Sequence, residues 1–493
     1  MGMNENKTFL GHPRGLATLF FTEMWERTSF YGMRAILILF MTTPAAQQGL
    51  GLDTETSAAV YGLYTAAVYL LSLPGGWLAD NLIGQRRAIW YGGVLIMIGH
   101  LILAIPGDPN IFFIGLGFVA AGTGFLKPNI SSIVGDLYPE GGARRDAGFS
   151  MFYMGINLGS IIGQFIIPYL GEKVNWHYGF GFAAIGMFIG LVQFKLTQGS
   201  LGKIGLRPKA LDEKKEEGFN KLALGLIIAI VLIIALQIAG YIDLTTATGL
   251  AEGLGVVIVL VAIVYFASVF ADASLTADER KKSFVILLLF MGSAFFWAGF
   301  EQAGSTLNLF ARDFTDRMIW GYEIPAGWLQ NVNPVMIVVF APIMGALWVK
   351  LATRQMNPST PLKFGFGLIL MATGFFAMVF AAKIVAAGAQ AGMQWLVLTY
   401  FMHSIGELTL SPVGLSATTK LAPKKYYSQM MGIWFVGTAL GNLVAGLFAG
   451  GFDENNVSSM PDLFMKVVFF GGITGLVFVL SSRIIRKWMG DVQ

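Results

Sequence analysis

The stretch FFTEMWERTSFYGMRAILILF, residues 20–40, is long enough to cross a membrane and yet carries four charged side chains. A helix of about 20 apolar residues matches the ~30 Å hydrocarbon core of a bilayer. Each charge at the centre of such a helix costs about 2.5–3.5 kcal/mol on insertion scales, so four cost on the order of 10 kcal/mol before pairing. Neutral side chains would pack better, so we interpret these charges as functional: Glu23, Glu26, Arg27 and Arg34.

Helical spacing places most of these side chains on one face. Glu23, Arg27, Tyr31 and Arg34 follow the pattern i, i+4, i+8, i+11. Glu23 and Arg27 are four residues apart and can form an ion pair. The first span is therefore predicted to present an acid, a base, a phenol and a second base to the interior of a helical bundle.

Three further ionisable residues fall inside later apolar segments. Lys127 precedes Pro128, Glu301 follows an aromatic run, and Glu407 lies shortly before Ser411. An ionisable residue inside a membrane span is a functional candidate by default. A purely structural ion pair is the alternative for each of them.

The composition agrees with a membrane protein. Of 493 residues, 55% are hydrophobic and 13% are charged, whereas soluble domains average roughly 25% charged residues. The chain has no cysteine, which excludes disulfides, thiolate nucleophiles and cysteine-ligated metals. It also has no His-Glu-x-x-His spacing and no Gly-x-Ser-x-Gly elbow, so we do not expect an enzyme. The net charge of +4 gives no reason to expect a nucleic-acid partner.

Apolar segments of spanning length number fourteen. They are predicted at residues 16–43, 55–80, 86–106, 110–134, 146–171, 178–197, 219–241, 250–271, 282–309, 328–351, 362–384, 392–420, 426–450 and 461–487. With the N-terminus in the cytoplasm, 25 Lys and Arg residues fall in cytoplasmic loops and tails, including Lys363, and 5 fall on the other side. This asymmetry is the one that cytoplasmic loops of membrane proteins show. We therefore predict an all-α, multi-pass protein of the cell (inner) membrane with both termini in the cytoplasm.

The fourteen spans are predicted to divide into six, two and six. Residues 1–197 form an N-terminal six-helix bundle, residues 198–281 a cytoplasmic linker with a two-helix insertion, and residues 282–493 a C-terminal six-helix bundle. The two outer sets of six share features: the loop motif at residues 74–87 is similar to residues 342–363. Two parallel six-helix halves are typical of transporters that bind substrate near the midplane.

Three motifs resemble those of the proton-coupled oligopeptide transporters, a branch of the major facilitator superfamily. Residues 23–32, EMWERTSFYG, are similar to the family pattern E-x-x-E-R-F-x-Y-Y-G, and residues 76–87 and 152–160 also agree. The resemblance extends over about residues 15–487. It implies the major facilitator fold, with two extra helices between the halves as in bacterial members. Thr28 and Phe30 depart from the pattern, so one hydroxyl contact in the pocket is lost.

The resemblance implies symport of di- and tripeptides with protons by alternating access. Arg34 and Lys127 would bind the peptide carboxylate, and Glu407 would face its amino terminus. Glu301 would pair with Arg34 when no peptide is bound. The full set that the resemblance implies comprises Arg34, Lys127, Tyr31, Tyr69, Asn157, Trp297, Asn333, Glu407, Ser411 and Trp434 for substrate, and Glu23, Glu26, Arg27 and Glu301 for proton coupling.

Elementary electrostatics supports these roles independently. A free dipeptide is a zwitterion, so its site needs a cationic and an anionic pole, and aromatic side chains can then line permissive apolar pockets. A carboxylate in a low dielectric needs a proton or a partner, which can couple proton binding to substrate binding. A transporter of nitrate or another small anion remains the alternative, although Glu301 and Glu407 would then lack a cationic substrate group. We expect no cofactor apart from the coupling proton, and a protein that functions as a monomer in the lipid bilayer.

Overall fold

The computed structural model describes residues 8–139, 142–206 and 245–490, together with residues 231, 235, 237–241 and 243. The described chain is almost wholly helical. It divides into two compact units, the first within Met1–Leu50 and Ala67–Ile227 and the second within Gly51–Ala66 and Ile228–Gln493. The second helix begins in the second unit, although the sequence analysis placed it entirely in the N-terminal bundle. The domain boundaries at 197 and 281 stay predictions.

Seven α-helices lie in the described residues before residue 198. They are α1 (Arg14–Thr42), α2 (Thr54–Leu70), α3 (Ser72–Leu78), α4 (Gln85–Leu103), α5 (Pro109–Asp136), α6 (Gly142–Lys173) and α7 (Trp176–Thr197). A short antiparallel pair, β1 (Thr8–Phe9) and β2 (His12–Pro13), comes before α1. A π-helical turn at Ala79–Ile83 follows α3. Together α2, α3 and this turn form one candidate membrane span, Thr54–Ile83, which matches the predicted span 55–80.

Helix α1 is held in the first unit by close packing on α6 and α7. Gly159 and Gly163 of α6 lie against the carbonyl oxygens of Met24 and Thr28, and a Cβ at either glycine would collide with that oxygen. Small residues at such spacing let membrane helices approach closely. This packing orients the charged face of α1.

Eight α-helices of the second unit lie within the described residues 245–490. They are α8 (Ala247–Ala271), α9 (Ala277–Phe300), α10 (Thr306–Asp313), α11 (Val332–Thr353), α12 (Thr360–Ala386), α13 (Gln394–Leu421), α14 (Tyr427–Ala449) and α15 (Met460–Met489). Two small pairings join loops: β3 (Thr315–Asp316) runs parallel to β6 (Ala391–Gly392), and β4 (Met318–Ile319) antiparallel to β5 (Tyr322–Glu323). Helix α12 packs on α13 and α15, and α9 packs on α14 and α15.

The start of α9 has a complete capping box. The Thr276 hydroxyl accepts a hydrogen bond from the Glu279 amide, and the Glu279 carboxylate accepts one from the Thr276 amide. Each bond satisfies a backbone N–H that has no partner within the helix. The connection between α8 and α9 therefore ends at a defined residue.

Within the described ranges, eleven helical segments are long and apolar enough to cross a membrane. Helices α1 and α13 are not among them but have 29 and 28 residues, ample length for a span. The multi-pass membrane prediction is confirmed. Because most of the predicted span 219–241 lies outside the described residues, the count of fourteen and the cytoplasmic termini stay predictions.

The predicted span 282–309 lies within Ala277–Asp313, which is long and apolar enough to cross a membrane. Inside this segment a 3₁₀ turn at Glu301–Gly304 follows α9, after which Ser305 leaves the helical conformation and α10 begins. One prediction from the sequence is wrong. Lys363, expected in a cytoplasmic loop, lies in the first turn of α12 and is 8% exposed. Its ammonium nitrogen sits 4.6 Å from the centre of the Trp348 ring, so a cation–π contact accommodates the charge.

Candidate functional site

The first cluster consists of three charged side chains of α1. The Arg27 Nε lies 2.8 Å from Glu23 Oε1 and 2.7 Å from Glu26 Oε2. All three residues are at most 2% exposed. The i, i+4 pair expected from the sequence is therefore present, and Glu26 joins it. Two acids around one base leave this buried group with a net negative charge whenever both carboxyls are ionised.

Not every carboxylate oxygen of this cluster is satisfied. Among the described residues, Glu23 Oε2 and Glu26 Oε1 have no hydrogen-bond partner. A buried carboxylate oxygen without a donor is costly while the group is charged. Adding one proton would neutralise a carboxyl and leave the Arg27 pair balanced. The cluster is chemically suited to take up a proton.

Aromatic rings surround the cations of the first unit. The Arg27 guanidinium carbon lies 5.2 Å from the centre of the Phe30 ring, and that of Arg34 lies 5.7 Å from the centre of the Tyr31 ring. Lys127 on α5 places its ammonium nitrogen 4.0 Å from the centre of the Tyr69 ring on α2. Such contacts stabilise a cation in an apolar setting.

Arg34 lies two turns along α1 from Arg27 and is 8% exposed. It is thus buried, but less completely than the Glu23–Glu26–Arg27 cluster. Asn157 on α6, which the resemblance assigns to the peptide site, is 6% exposed and donates to the Tyr153 carbonyl at 2.9 Å. That bond stays within its own helix and fixes the orientation of the amide.

In the second unit, Glu301 lies where the regular helix stops. It is the first residue of the 3₁₀ turn after α9 and is 3% exposed. A break of this kind inside a membrane segment is tolerated only where protein or a water-filled cavity surrounds it. Trp297, one turn earlier, packs edge-on against Phe300 at 5.2 Å between ring centres. The aromatic run at 295–300 thus packs beside the acid.

Glu407 on α13 is joined to α11 by a hydrogen-bonded amide. The Asn333 Nδ2 donates to Glu407 Oε2 at 3.1 Å and to the Ser404 hydroxyl at 3.0 Å. Ser404 in turn donates to the Tyr400 carbonyl at 2.6 Å. The resemblance assigns Glu407, Asn157 and Asn333 to the peptide amino terminus, and Asn333 and Glu407 are in direct contact. Their bond orients one carboxylate oxygen.

Ser404 was missed by the sequence analysis. It lies three residues before Glu407 on α13, and that spacing puts the two side chains on one helical face. The same spacing argument that identified the face of α1 could have found it. Its contact with an asparagine 71 residues away could not have been read from spacing.

Other assigned residues have more ordinary surroundings. Trp434 is 6% exposed and packs against Phe364, with ring centres 6.3 Å apart, and against Gly414. Ser411 lies on α13 just before Pro412 and is half-buried. The substrate roles of Trp434 and Ser411 stay predictions.

His403 shares a helix with Glu407 and is packed as a core residue. Its Nε2 lies 3.2 Å from the Met371 carbonyl, and its ring centre lies 5.2 Å from that of Phe375. These contacts are those of an ordinary polar side chain packed in the protein core.

Comparison with known proteins gives consistent matches over the whole chain. The sequence model of the POT family matches residues 86–465. The peptide transporter YePEPT of Yersinia enterocolitica is 40% identical, covering 99% of this chain and 97% of that protein. The di-/tripeptide transporter of Lactococcus lactis subsp. cremoris is 38% identical, covering 99% and 98%. A solved structure of a mutant of the peptide transporter POT with alafosfalin has a TM-score of 0.89 at 39% identity, covering 99% of this chain and 98% of that one.

Proposed function

This chain belongs to the POT family, and on that premise we propose that it is a proton-coupled symporter that imports di- and tripeptides by alternating access. It works in the inner membrane of the cell, functions as a monomer, and needs no cofactor beyond the coupling proton. Two relatives are named for peptide or di-/tripeptide transport, and a similar transporter binds the peptide mimic alafosfalin.

One observation carries the proposal: buried charges of opposite sign are provided by the two units. Arg34 in the first unit is 8% exposed, and Glu301 in the second is 3% exposed. A zwitterionic peptide needs both kinds of charge, whereas nitrate needs only a cation. The hydrogen bond between Asn333 and Glu407 further supports a peptide, because it orients a carboxylate oxygen that a substrate ammonium group could use.

In this proposal Arg34 and Lys127 bind the peptide carboxylate, and Glu407 with Asn333 binds the amino terminus. Charge-assisted hydrogen bonds of this kind are roughly twice as strong as neutral ones. Because the two termini are common to all peptides, a site that binds them accepts many side chains. Tyr31, Tyr69, Asn157, Trp297, Ser411 and Trp434 complete the proposed substrate set.

The coupling proton is proposed to bind Glu301 and the cluster of Glu23, Glu26 and Arg27. Burial favours the neutral form of a carboxyl unless a cation stabilises the charge. The unpartnered carboxylate oxygens of Glu23 and Glu26 support a role in proton uptake. A proton gradient would then change the charge of these groups during each transport cycle.

The test is peptide uptake into proteoliposomes under an imposed pH gradient. Wild-type protein is expected to accumulate labelled dialanine above the external concentration, and unlabelled alanyl peptides should compete with it. Glu301→Gln should lose this accumulation but retain exchange of labelled for unlabelled peptide. The matched control is Glu252→Gln, the same change at an exposed acid of α8, and it should behave as wild type.

Two outcomes would contradict the proposal in different ways. Uphill uptake by the Glu301→Gln variant would remove Glu301 from proton coupling and leave peptide transport intact. Failure of alanyl peptides either to accumulate or to compete, with competition by nitrate instead, would overturn the substrate assignment.

A further inference from the structure

An apolar groove runs along the insertion helix α8 in the second unit. Helices α8, α9 and α14 form a cavity of about 550 Å³ whose lining side chains are all hydrophobic. Val259 and Phe270 mark its two ends along α8, Leu287 and Phe295 line the α9 side, and Leu440 contributes from α14. Because these are membrane-spanning segments, the surrounding apolar solvent is lipid.

The groove has the length of one leaflet. From Val259 to Phe270 there are eleven residue steps along the helix, which is about 16 Å at 1.5 Å per residue. Half of the ~30 Å hydrocarbon core is about 15 Å. The groove therefore extends from the middle of the bilayer to the end of α8 near residue 271, and it matches an extended acyl chain in one leaflet.

Basic side chains are concentrated where the groove ends. Arg280 and Lys281 are exposed at the start of α9. The Arg280 guanidinium donates a hydrogen bond of 3.0 Å to the carbonyl of Asp272, which lies two residues beyond Phe270. The end of α15 adds Arg483, Arg486 and Lys487, all exposed. The positive-inside distribution places this end in the cytoplasm, where anionic headgroups attract such clusters.

Aromatic contacts connect the groove to these basic residues. The Phe270 ring centre lies 6.3 Å from that of Phe284, and Phe284 lies 5.6 Å from Trp488 in an edge-on arrangement. Tryptophan prefers the level of the lipid headgroups. The groove, the aromatic side chains and the basic ends of α9 and α15 thus form one continuous surface.

Two acids beside this surface already have cationic partners. Asp272 accepts hydrogen bonds from Lys425 and Tyr426, and the Lys425 ammonium, with the Tyr426 hydroxyl, holds the pKa of this carboxyl below its usual range. Asp278 pairs with Lys282 at 2.7 Å. Glu279 is engaged in the capping box of α9. The arginines and lysines at the ends of α9 and α15 therefore leave an excess of positive charge.

We propose that this surface is a binding site for an anionic phospholipid, with one acyl chain in the groove of α8, α9 and α14 and the headgroup phosphate on Arg280, Lys281 and the basic end of α15. The insertion helix thereby gains a function: it forms one wall of a lipid site on the C-terminal bundle. A neutral lipid fits the groove equally well, but it does not use the excess positive charge.

The experiment is native mass spectrometry of the full-length protein after delipidation and addition of phosphatidylglycerol and phosphatidylcholine in equal amounts. Wild type should retain phosphatidylglycerol in clear preference. Each basic residue near an anionic surface contributes roughly fivefold, so Arg280→Gln with Lys281→Gln should reduce this preference by about twenty-five-fold. The matched control is Lys350→Gln with Arg354→Gln, two exposed basic residues at the end of α11, which should leave it unchanged.

The groove is tested separately from the charges. Ala267 is exposed and lines the groove, so Ala267→Trp should fill it and displace the lipid. Val264→Trp is the control, because Val264 is 66% exposed on the same helix but does not line the groove. Retention of phosphatidylglycerol by Ala267→Trp, or equal retention of both lipids by wild type, would overturn the proposal. Release of phosphatidylglycerol by glycerol phosphate alone would likewise contradict an acyl chain in the groove.

Discussion

In a membrane protein, a single buried charged residue can identify a candidate functional site. Glu23, Glu26 and Arg27 are at most 2% exposed, in segments where apolar side chains would be more stable. Their helical spacing predicted a shared face, and the ion pairs of Arg27 with both acids confirm it. The partner of Glu407 could not be predicted in this way, because Asn333 lies on another helix.

Glu407 leads to a prediction about recognition of the peptide amino terminus. Glu407→Gln removes the negative charge but keeps an oxygen near Asn333. A hydrogen bond to a charged group contributes about 1.5–3 kcal/mol, so KM for dialanine should rise more than about tenfold. N-acetyl-dialanine, which has no ammonium group, should be affected little. Competition uptake assays with the two peptides measure the difference.

The control for this prediction is again Glu252→Gln, which should preserve the preference for the free amino terminus. If Glu407→Gln weakens both peptides equally, Glu407 does not bind the ammonium group, and a structural role for its bond with Asn333 becomes the better explanation.

At the scale of helices, packing and breaks in the helices decide where the candidate functional side chains point. The glycines of α6 allow α1 to approach closely, and the interruption after Phe300 places Glu301 on a 3₁₀ turn. Glycine spacing was visible in the sequence. The interruption was not predicted, although the polar run EQAGST at residues 301–306 coincides with it, because hydropathy averaged over a span does not report a change of backbone conformation.

The packing of α1 on α6 predicts a stability effect. In Gly163→Ala, the added methyl group collides with the Thr28 carbonyl oxygen and forces the helices apart. Overpacking of this kind typically costs about 1–3 kcal/mol. The midpoint of thermal unfolding in detergent should fall measurably.

Gly117→Ala on α5 is the matched control, since a Cβ at Gly117 meets nothing within 4 Å. Replacement of a helical glycine by alanine without strain stabilises by about 0.4–1 kcal/mol. An unchanged midpoint for Gly163→Ala would mean that α1 and α6 can separate at no cost.

For the whole molecule, the distribution of Lys and Arg predicts which loops are cytoplasmic. The prediction can be checked directly because the chain has no cysteine of its own. Asn357→Cys, between α11 and α12, should lie inside, and Asn455→Cys, between α14 and α15, should lie outside. Both positions are exposed.

Labelling with a membrane-impermeant maleimide in right-side-out vesicles distinguishes the two sides. The Asn455→Cys variant should react at once, whereas the Asn357→Cys variant should react only after permeabilisation. The reverse pattern would place the termini outside the cell and would contradict the orientation.

The amino-acid sequence alone determined that this is a multi-pass helical membrane protein of the POT family. It also identified the charged residues inside the membrane-spanning segments. Hydropathy, charge asymmetry and helical spacing are local properties, so residues 20–40 already contain them. Tertiary structure decided which side chains meet: Asn333 with Glu407, Lys127 with Tyr69, and Lys363 with Trp348. These contacts join residues on different helices, and only the packing of the helices brings them together.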